Sequence, residues 1–357
     1  MGDVLGVGLS HFPGFVHADK EMAMRVKQVI SSDRVPAGLK DPANWPEPMR
    51  REWSTDEGAA FAGEHRRQFL EGARKIRQTI DDFKPDAVVI FGDDQYENLR
   101  EDMIPPFCVY ILPNFELRPF AAWLRSGEFQ PNIWNEPRDK VFAFDGHPQI
   151  GRFLAKAAMQ AEFDMSYAYK LRYPDTEGLG HAFNFTMVYL DYDREGWTHP
   201  IVPVAINAYG SGIIRNRGLV GHLFDNSDAD ADPPAPSPKR CFDLGAALAR
   251  ALKASPWRAV LVGTSSWSHA FLTEKNHYVY PDVESDRRRF QALQAGDYLA
   301  WRDLPLAELE QAGEHELLNW MPLVGAMHEL GQKPSYCRFL ETYTMNSCKC
   351  SAIFPPN

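Results

Sequence analysis

The chain has 357 residues, of which 44% are hydrophobic. That is enough apolar material for a sizeable core, and it excludes a disordered chain. Its 48 acidic against 38 basic residues give a net charge of -10, and no Lys/Arg run interleaves with aromatics, so a surface that tracks nucleic-acid phosphates is excluded. No apolar run reaches the roughly 18 to 20 residues that span a bilayer, and the N-terminus lacks the basic start of a secretory signal, so a cytoplasmic protein that contacts no membrane is expected.

Val4 to Leu9 is apolar or Gly at every position, as in a strand covered on both faces, and it delivers His11 into the turn Phe12-Pro13-Gly14. Residues 15 to 64 carry Pro36, Pro42, Pro46 and Pro48 with Trp45 and Trp53, and read as an irregular insertion or lid. Apolar positions 69, 70, 73, 76, 80 and 83 form a helical stripe with His65 one turn ahead of it. Asp86 to Phe91 reads as a buried parallel strand followed by Gly92-Asp-Asp-Gln-Tyr-Glu-Asn98, and Phe107 to Leu112 as another strand, with 113 to 145 irregular. Pro148 opens a helix that His147 caps or packs. Tyr167 to Tyr169, Thr186 to Tyr192 and Ile201 to Asn207 read as strands, with Gly180-His181 ahead of the second.

Residues 225 to 238 read as a solvated loop. Cys241 to Leu252 is helical, and Arg258 to Val262 is a strand that opens into Gly263-Thr-Ser-Ser-Trp-Ser-His269. A helix with Glu284 and Asp286 at its N-terminal end covers 281 to 294, one or two helices surround Pro322, and a strand closes the chain near Ser351 to Phe354. Five cysteines with no Cys-x-x-Cys pair give neither a disulfide framework nor a structural zinc site, and Cys348 and Cys350 read as small buried side chains. Strands alternating with helices predict an α/β fold: one domain over 1–357, with a central mixed or parallel sheet flanked by helices and long loop insertions.

Gly6-Val-Gly8 lacks the third glycine and the helix of a dinucleotide fingerprint, and no Walker loop, Gly-x-Ser-x-Gly elbow or His-Glu-x-x-His is present. What remains beyond the strands is His11, Asp93-Asp94-Gln95, His181, His269 and Glu284. Nitrogen and oxygen donors with one carboxylate on one side of a divalent metal leave positions open for substrate, as at non-haem iron(II) sites.

Ser10-His11-Phe12-Pro13, Gly92-Asp-Asp-Gln-Tyr-Glu-Asn98 before Ile104-Pro105-Pro106-Phe107, Gly146-His147-Pro148, Gly180-His181, Lys239-Arg240-Cys241-Phe242 with Leu244-Gly245, Gly263-Thr264 with Ser268-His269, and Glu284-x-Asp286 stand in the order of one family. On these motifs the chain resembles the class III extradiol ring-cleavage dioxygenases, the LigB-type superfamily of the protocatechuate 4,5-dioxygenase beta subunit. The resemblance implies O2-dependent cleavage of a catechol-type diol at iron(II). His11 and Glu284 would be metal ligands, His181 the acid-base residue, and Gln95, with Asp94 beside it, would stand where the family has its second histidine ligand. His269 would orient a ligand or the substrate. The lost histidine keeps two alternatives open: a zinc or manganese hydrolase or lyase on the same scaffold, or a binding protein without metal. Arg172, Arg215 and Arg217 are candidates to pair a substrate carboxylate. A homo-oligomer, as a dimer, completes the expectation.

Overall fold

The computed structural model describes residues 2–121, 131–210 and 233–356. In chain order the elements are β1 (Asp3–Leu9), α1 (Asp19–Met22), α2 (Met24–Ile30), α3 (Glu47–Trp53), α4 (Ala59–Phe83), β2 (Ala87–Asp93), β3 (Phe107–Tyr110), β4 (Asn114–Leu117), β5 (Phe142–Asp145), α5 (Pro148–Gln160), β6 (Ser166–Ala168), α6 (His181–Leu190) and β7 (Ile201–Ile206). They continue with α7 (Pro238–Lys253), β8 (Arg258–Thr264), α8 (Val283–Ala295), α9 (Leu299–Arg302), α10 (Leu306–Gln311), α11 (Met321–Leu330), β9 (Tyr336–Leu340) and β10 (Lys349–Phe354).

Eight strands form one sheet in the order β6-β3-β7-β2-β8-β1-β10-β9, and β4 and β5 make a separate hairpin. The central strands β7, β2, β8 and β1 run parallel, while β3 and β10 flank them antiparallel. The sheet is therefore mixed and flanked by helices, as the alternating pattern predicts.

Side-chain alternation divides the core between the two faces. Leu5, Val7 and Leu9 pack into one apolar cluster with Phe69, Ile76 and Ile80 of α4 and Phe185 of α6. Val4 joins the other, with Leu154 of α5, Leu248 of α7 and Leu323 of α11. On that second face Gly8 leaves room for Trp320, since a Cβ there would lie 2.3 Å from the indole. Helices α7 and α11 touch at backbone distance: a Cβ on Gly245 would lie 1.9 Å from the Pro322 carbonyl oxygen, and one on Gly325 2.0 Å from that of Phe242. This contact fixes the chain just ahead of α11, where the site gains its carboxylate.

Three expectations change. The run expected as a strand from Thr186 to Tyr192 belongs to helix α6, whose residues from Ala182 to Leu190 are all buried. Its β-branched and aromatic residues suit a strand by propensity, but the segment lies between the sheet and α4, where apolar residues on every side are satisfied by a helix. Residues 15 to 64 are not an irregular excursion; they hold α1, α2, α3 and the start of α4, with Trp45 and Trp53 stacked edge to face at 5.3 Å. The stretch 113 to 145 contains the β4–β5 hairpin. Most of the loop expected at 225 to 238 lies outside the described residues, as do Arg215 and Arg217. Among the described residues no helix is long and apolar enough to cross a membrane.

Candidate metal centre

The parallel strands all aim their carboxyl ends at one place. From β1 comes His11, from β2 Asp93 to Gln95, from β7 Tyr209, and from β8 Thr264 and Ser266, the edge at which open α/β sheets bind ligands. Two further pieces reach it: the first turn of α6, with His181, and the 3-10 turn His315–Asn319, with Glu316. The turn is tied to β2 by Asn319, whose side-chain amide donates to Asp93 Oδ1 at 2.6 Å.

Glu316 is the centre of the arrangement and is buried to 1% exposure. Its Oε2 lies 3.0 Å from His11 Nε2, and its Oε1 lies 3.4 Å from His269 Nε2 and 3.7 Å from His181 Nε2. Tyr209 donates its hydroxyl to Oε1 at 2.5 Å and Ser266 its backbone N–H to Oε2 at 2.8 Å. Burial alone would raise the Glu316 pKa, but His269 and His11 outweigh it and hold the carboxyl well below its usual range. Its negative charge is thus kept in a closed site.

Each histidine is oriented from behind. His11 Nδ1 pairs with Thr264 Oγ1 at 3.0 Å, and Thr264 pairs with Thr186 at 2.5 Å. His11 Nε2 is buried with no hydrogen-bond partner despite its closeness to Glu316. His181 Nδ1 pairs with Glu97 Oε1 at 2.7 Å, and the same oxygen accepts the His181 backbone N–H at 3.2 Å. A carboxylate at the N-terminus of α6 also meets the positive end of its dipole. For His181 desolvation is the largest influence and lowers the pKa, but Glu97 and Glu316 reverse it and leave the imidazole well above its ordinary value. Burial lowers that of His269, against the pull of Glu316. Burial and the repulsion of Glu316 push Asp93 up to about 6.

Donor atoms of His11, His181 and Glu316 lie within 4.8 Å of one another. Two imidazoles and one carboxylate, each braced by an outer partner, fit a divalent transition metal, and the unpartnered Nε2 of His11 is the atom such an ion would satisfy. Beside this cluster opens a cavity of about 370 Å³, lined by His11, Gln95, His181, Tyr209, His269 and Glu316 together with residues of 12–28. Its volume suits a small aromatic ligand.

Four of the expected residues, His11, Gln95, His181 and His269, line this cavity. Glu284 does not: it is exposed on α8, and the carboxylate among the histidines belongs to Glu316. Asp94 is turned away as well, because its carboxylate accepts the backbone N–H groups of Asn98 and Leu99 at 3.0 to 3.1 Å and caps that turn. His65 is buried among Phe15 and Phe61, outside the cavity lining. Arg172 pairs with Asp102 at 2.7 Å. His147 caps α5, its Nδ1 accepting the Ile150 N–H at 3.2 Å.

Glu316, Glu97, Tyr209 and Thr264 are the residues that sequence reasoning passed over. Glu316 had one visible signal, an acidic residue set directly before the apolar run Leu317 to Met327 that only Asn319 interrupts. A buried carboxylate beside such a run requires a partner.

Known proteins resemble parts of this chain. A family model described as the catalytic LigB subunit of aromatic ring-opening dioxygenase matches residues 230–346, the part that carries His269 and Glu316. Over part of its length the chain is similar to LigB-type ring-opening dioxygenases, the family its motifs resemble. A 2,3-dihydroxyphenylpropionate/2,3-dihydroxicinnamic acid 1,2-dioxygenase from Paraburkholderia xenovorans is 26% identical over 193 residues, 54% of this chain and 46% of that one. A gallate dioxygenase from Pseudomonas putida is 25% identical over 213 residues, 58% of this chain and 53% of its own length. The chain thus spans about half the length of these curated relatives. An uncharacterized protein from Escherichia coli K12 gives a TM-score of 0.45 at 14% identity, covering 80% of this chain and 91% of that one.

Proposed function

We propose that the protein cleaves a catechol-type ring next to its diol, using O2 and an iron(II) ion held by His11, His181 and Glu316. The single observation that carries this reading is the buried cluster of those three donors at the carboxyl ends of parallel strands, in a chain related to ring-opening dioxygenases. When bound, the metal supplies one centre at which diol and dioxygen are brought together and oriented.

The chain's own residues do the rest. Thr264 fixes the His11 ring through Nδ1, and Glu97 fixes that of His181 in the same way. Tyr209 and the Ser266 N–H hold the Glu316 carboxylate in place. His269, whose Nε2 faces Glu316 and whose pKa is lowered, is the neutral imidazole that takes a proton from the substrate hydroxyl at Nε2 and returns it.

A second reading keeps His181 for proton transfer, as the family resemblance implies. The observation that favours it is the Glu97–His181 pair, which suits an acid-base histidine as well as a ligand. The metal would then rest on His11 and Glu316, with Gln95 at the cavity wall.

Metal analysis of the purified protein, together with oxygen uptake on a panel of catechols, tests the function under both readings. Iron with diol-dependent uptake is the expected result. Zinc or manganese without uptake would move the chain to metal-dependent hydrolysis or lyase chemistry, and no metal at all to a binding role.

A further inference from the structure

The eight-stranded sheet ends in β9 on one side and β6 on the other, and the two edges are finished differently. At β9, Arg338 reaches Glu71 and Gln68 of α4 at 2.8 and 3.1 Å, and Lys75 lies 4.2 Å from the centre of the Tyr336 ring. Charged side chains of this kind keep an edge from pairing with another chain. β6 has no such guard. Tyr167 and Tyr169 are 51% and 58% exposed, and among the described residues no strand pairs with the outer side of β6.

The two rings stand edge to face at 5.8 Å in an open groove of about 510 Å³, lined also by Ile111 and by Arg152, Lys156 and Met159 of α5. Six large apolar side chains are exposed among the described residues, and three of them, Met159, Tyr167 and Tyr169, meet here. That makes a patch rather than scattered exposure, and such patches mark interaction sites.

The backbone at this edge is set for self-pairing. Ile111 donates its N–H to the Ala168 carbonyl at 2.7 Å, so Ala168 faces β3, and by alternation the N–H and C=O of Tyr167 face outward. Two antiparallel copies of β6 that met at a twofold through Tyr167 would exchange those two hydrogen bonds. In that register Asp164 of each copy, three residues before Tyr167, stands opposite Lys170 of the other, three residues after it. Asp164 has Arg240 at 3.2 Å and a side chain 93% exposed, so it is open to a second cation. Helix α5 packs over β3 and β7, so its two copies would stand apart with the four tyrosines between them. Arg152 and Lys156 would then face aromatic rings rather than one another.

We propose that the β6 edge is a homodimer interface, at which a second copy of this chain adds its own β6 antiparallel to the first and continues the sheet across the twofold. Aromatic neighbours and opposed charges across the strands hold such a ladder, and the pattern around Tyr167 is complementary to itself, as a twofold contact requires. The inference is independent of the ring-cleavage reading, because no residue of this groove lines the cavity beside the metal-ligand cluster.

Sedimentation of the full chain over about 1 to 100 μM tests it. The wild type is expected to dimerise within that range. Tyr167→Pro removes an N–H that the fold does not use and should leave a monomer. Lys170→Asp sets acid against acid at both ends of the ladder and should weaken the dimer about tenfold. Combining it with Asp164→Lys should restore the affinity to within about threefold. Circular dichroism of each variant checks folding; if Tyr167→Pro does not fold, the charge reversal and its restoration carry the test.

A wild type that stays monomeric throughout would overturn the proposal and leave the groove to a different, acidic partner. A dimer indifferent to the folded variants, or one that the double reversal does not restore, would overturn it as well.

Discussion

Two groups of residues that line the cavity are built differently. At the strand ends, side chains are braced in series: Thr186 to Thr264 to His11, Glu97 to His181, and Tyr209 to Glu316. Among residues 12–28, Arg25 has a ring to lie on and no acid to pair with. A braced centre keeps donor atoms within a few tenths of an ångström of a working geometry, which chemistry at a metal needs. The first group is held in advance by hydrogen bonds, and the second is not.

The comparison is most strongly tested by loosening one brace. Glu97→Gln keeps the shape but weakens the hold on His181 Nδ1, and turnover should fall about 10- to 100-fold. Steady-state rates with metal titration in the same variant separate the two roles of His181. A matching loss of metal affinity marks it as a ligand, whereas unchanged affinity with a displaced pH-rate profile marks it as the proton carrier. Full activity with unchanged affinity would show that the braces do not matter.

A smaller effect is expected at Lys349. This amine is buried, donates to the Met345 carbonyl at 3.0 Å and to that of Ser347, and lies 4.0 Å from the centre of the Phe12 ring. Burial lowers its pKa from 10.5 to about 7. Between those values the unfolded chain holds a proton that the folded chain has released, so stability rises with pH across that window and the cost of the buried charge is fully present below about 7. Urea unfolding from pH 7 to 10 should show this rise, at a slope of up to about 1.4 kcal/mol per pH unit. In Lys349→Met that contribution to the slope should vanish, with ring cleavage little changed. An identical slope in the variant would show that the amine does not titrate in this range.

Much of this was legible in the sequence, for a physical reason. Strands buried on both faces write continuous apolar runs, so β1, β2 and β8 and the polar residues just after them could be read directly, and His11 and His269 with them. Helix α6 misled because a segment covered on all sides loses the period that distinguishes helix from strand. The carboxylate was misplaced for a related reason. Glu284 stands at a conspicuous helix start, whereas Glu316 sits in a short 3-10 turn ahead of α11, a helix that packs at Gly325 and Pro322 against the distant Phe242 and Gly245 of α7. Arg25 carries no local signal at all, since its lack of an acid partner is a property of the folded chain.

The central claim is that Glu316, and not Glu284, is the carboxylate of the metal centre. Metal stoichiometry measured on the wild type, Glu316→Gln and Glu284→Gln, each loaded anaerobically with iron(II) and freed of excess, tests it most directly. One ion per chain in the wild type and in Glu284→Gln, with loss in Glu316→Gln, is the predicted result. Retention of the ion in Glu316→Gln with loss in Glu284→Gln would contradict it.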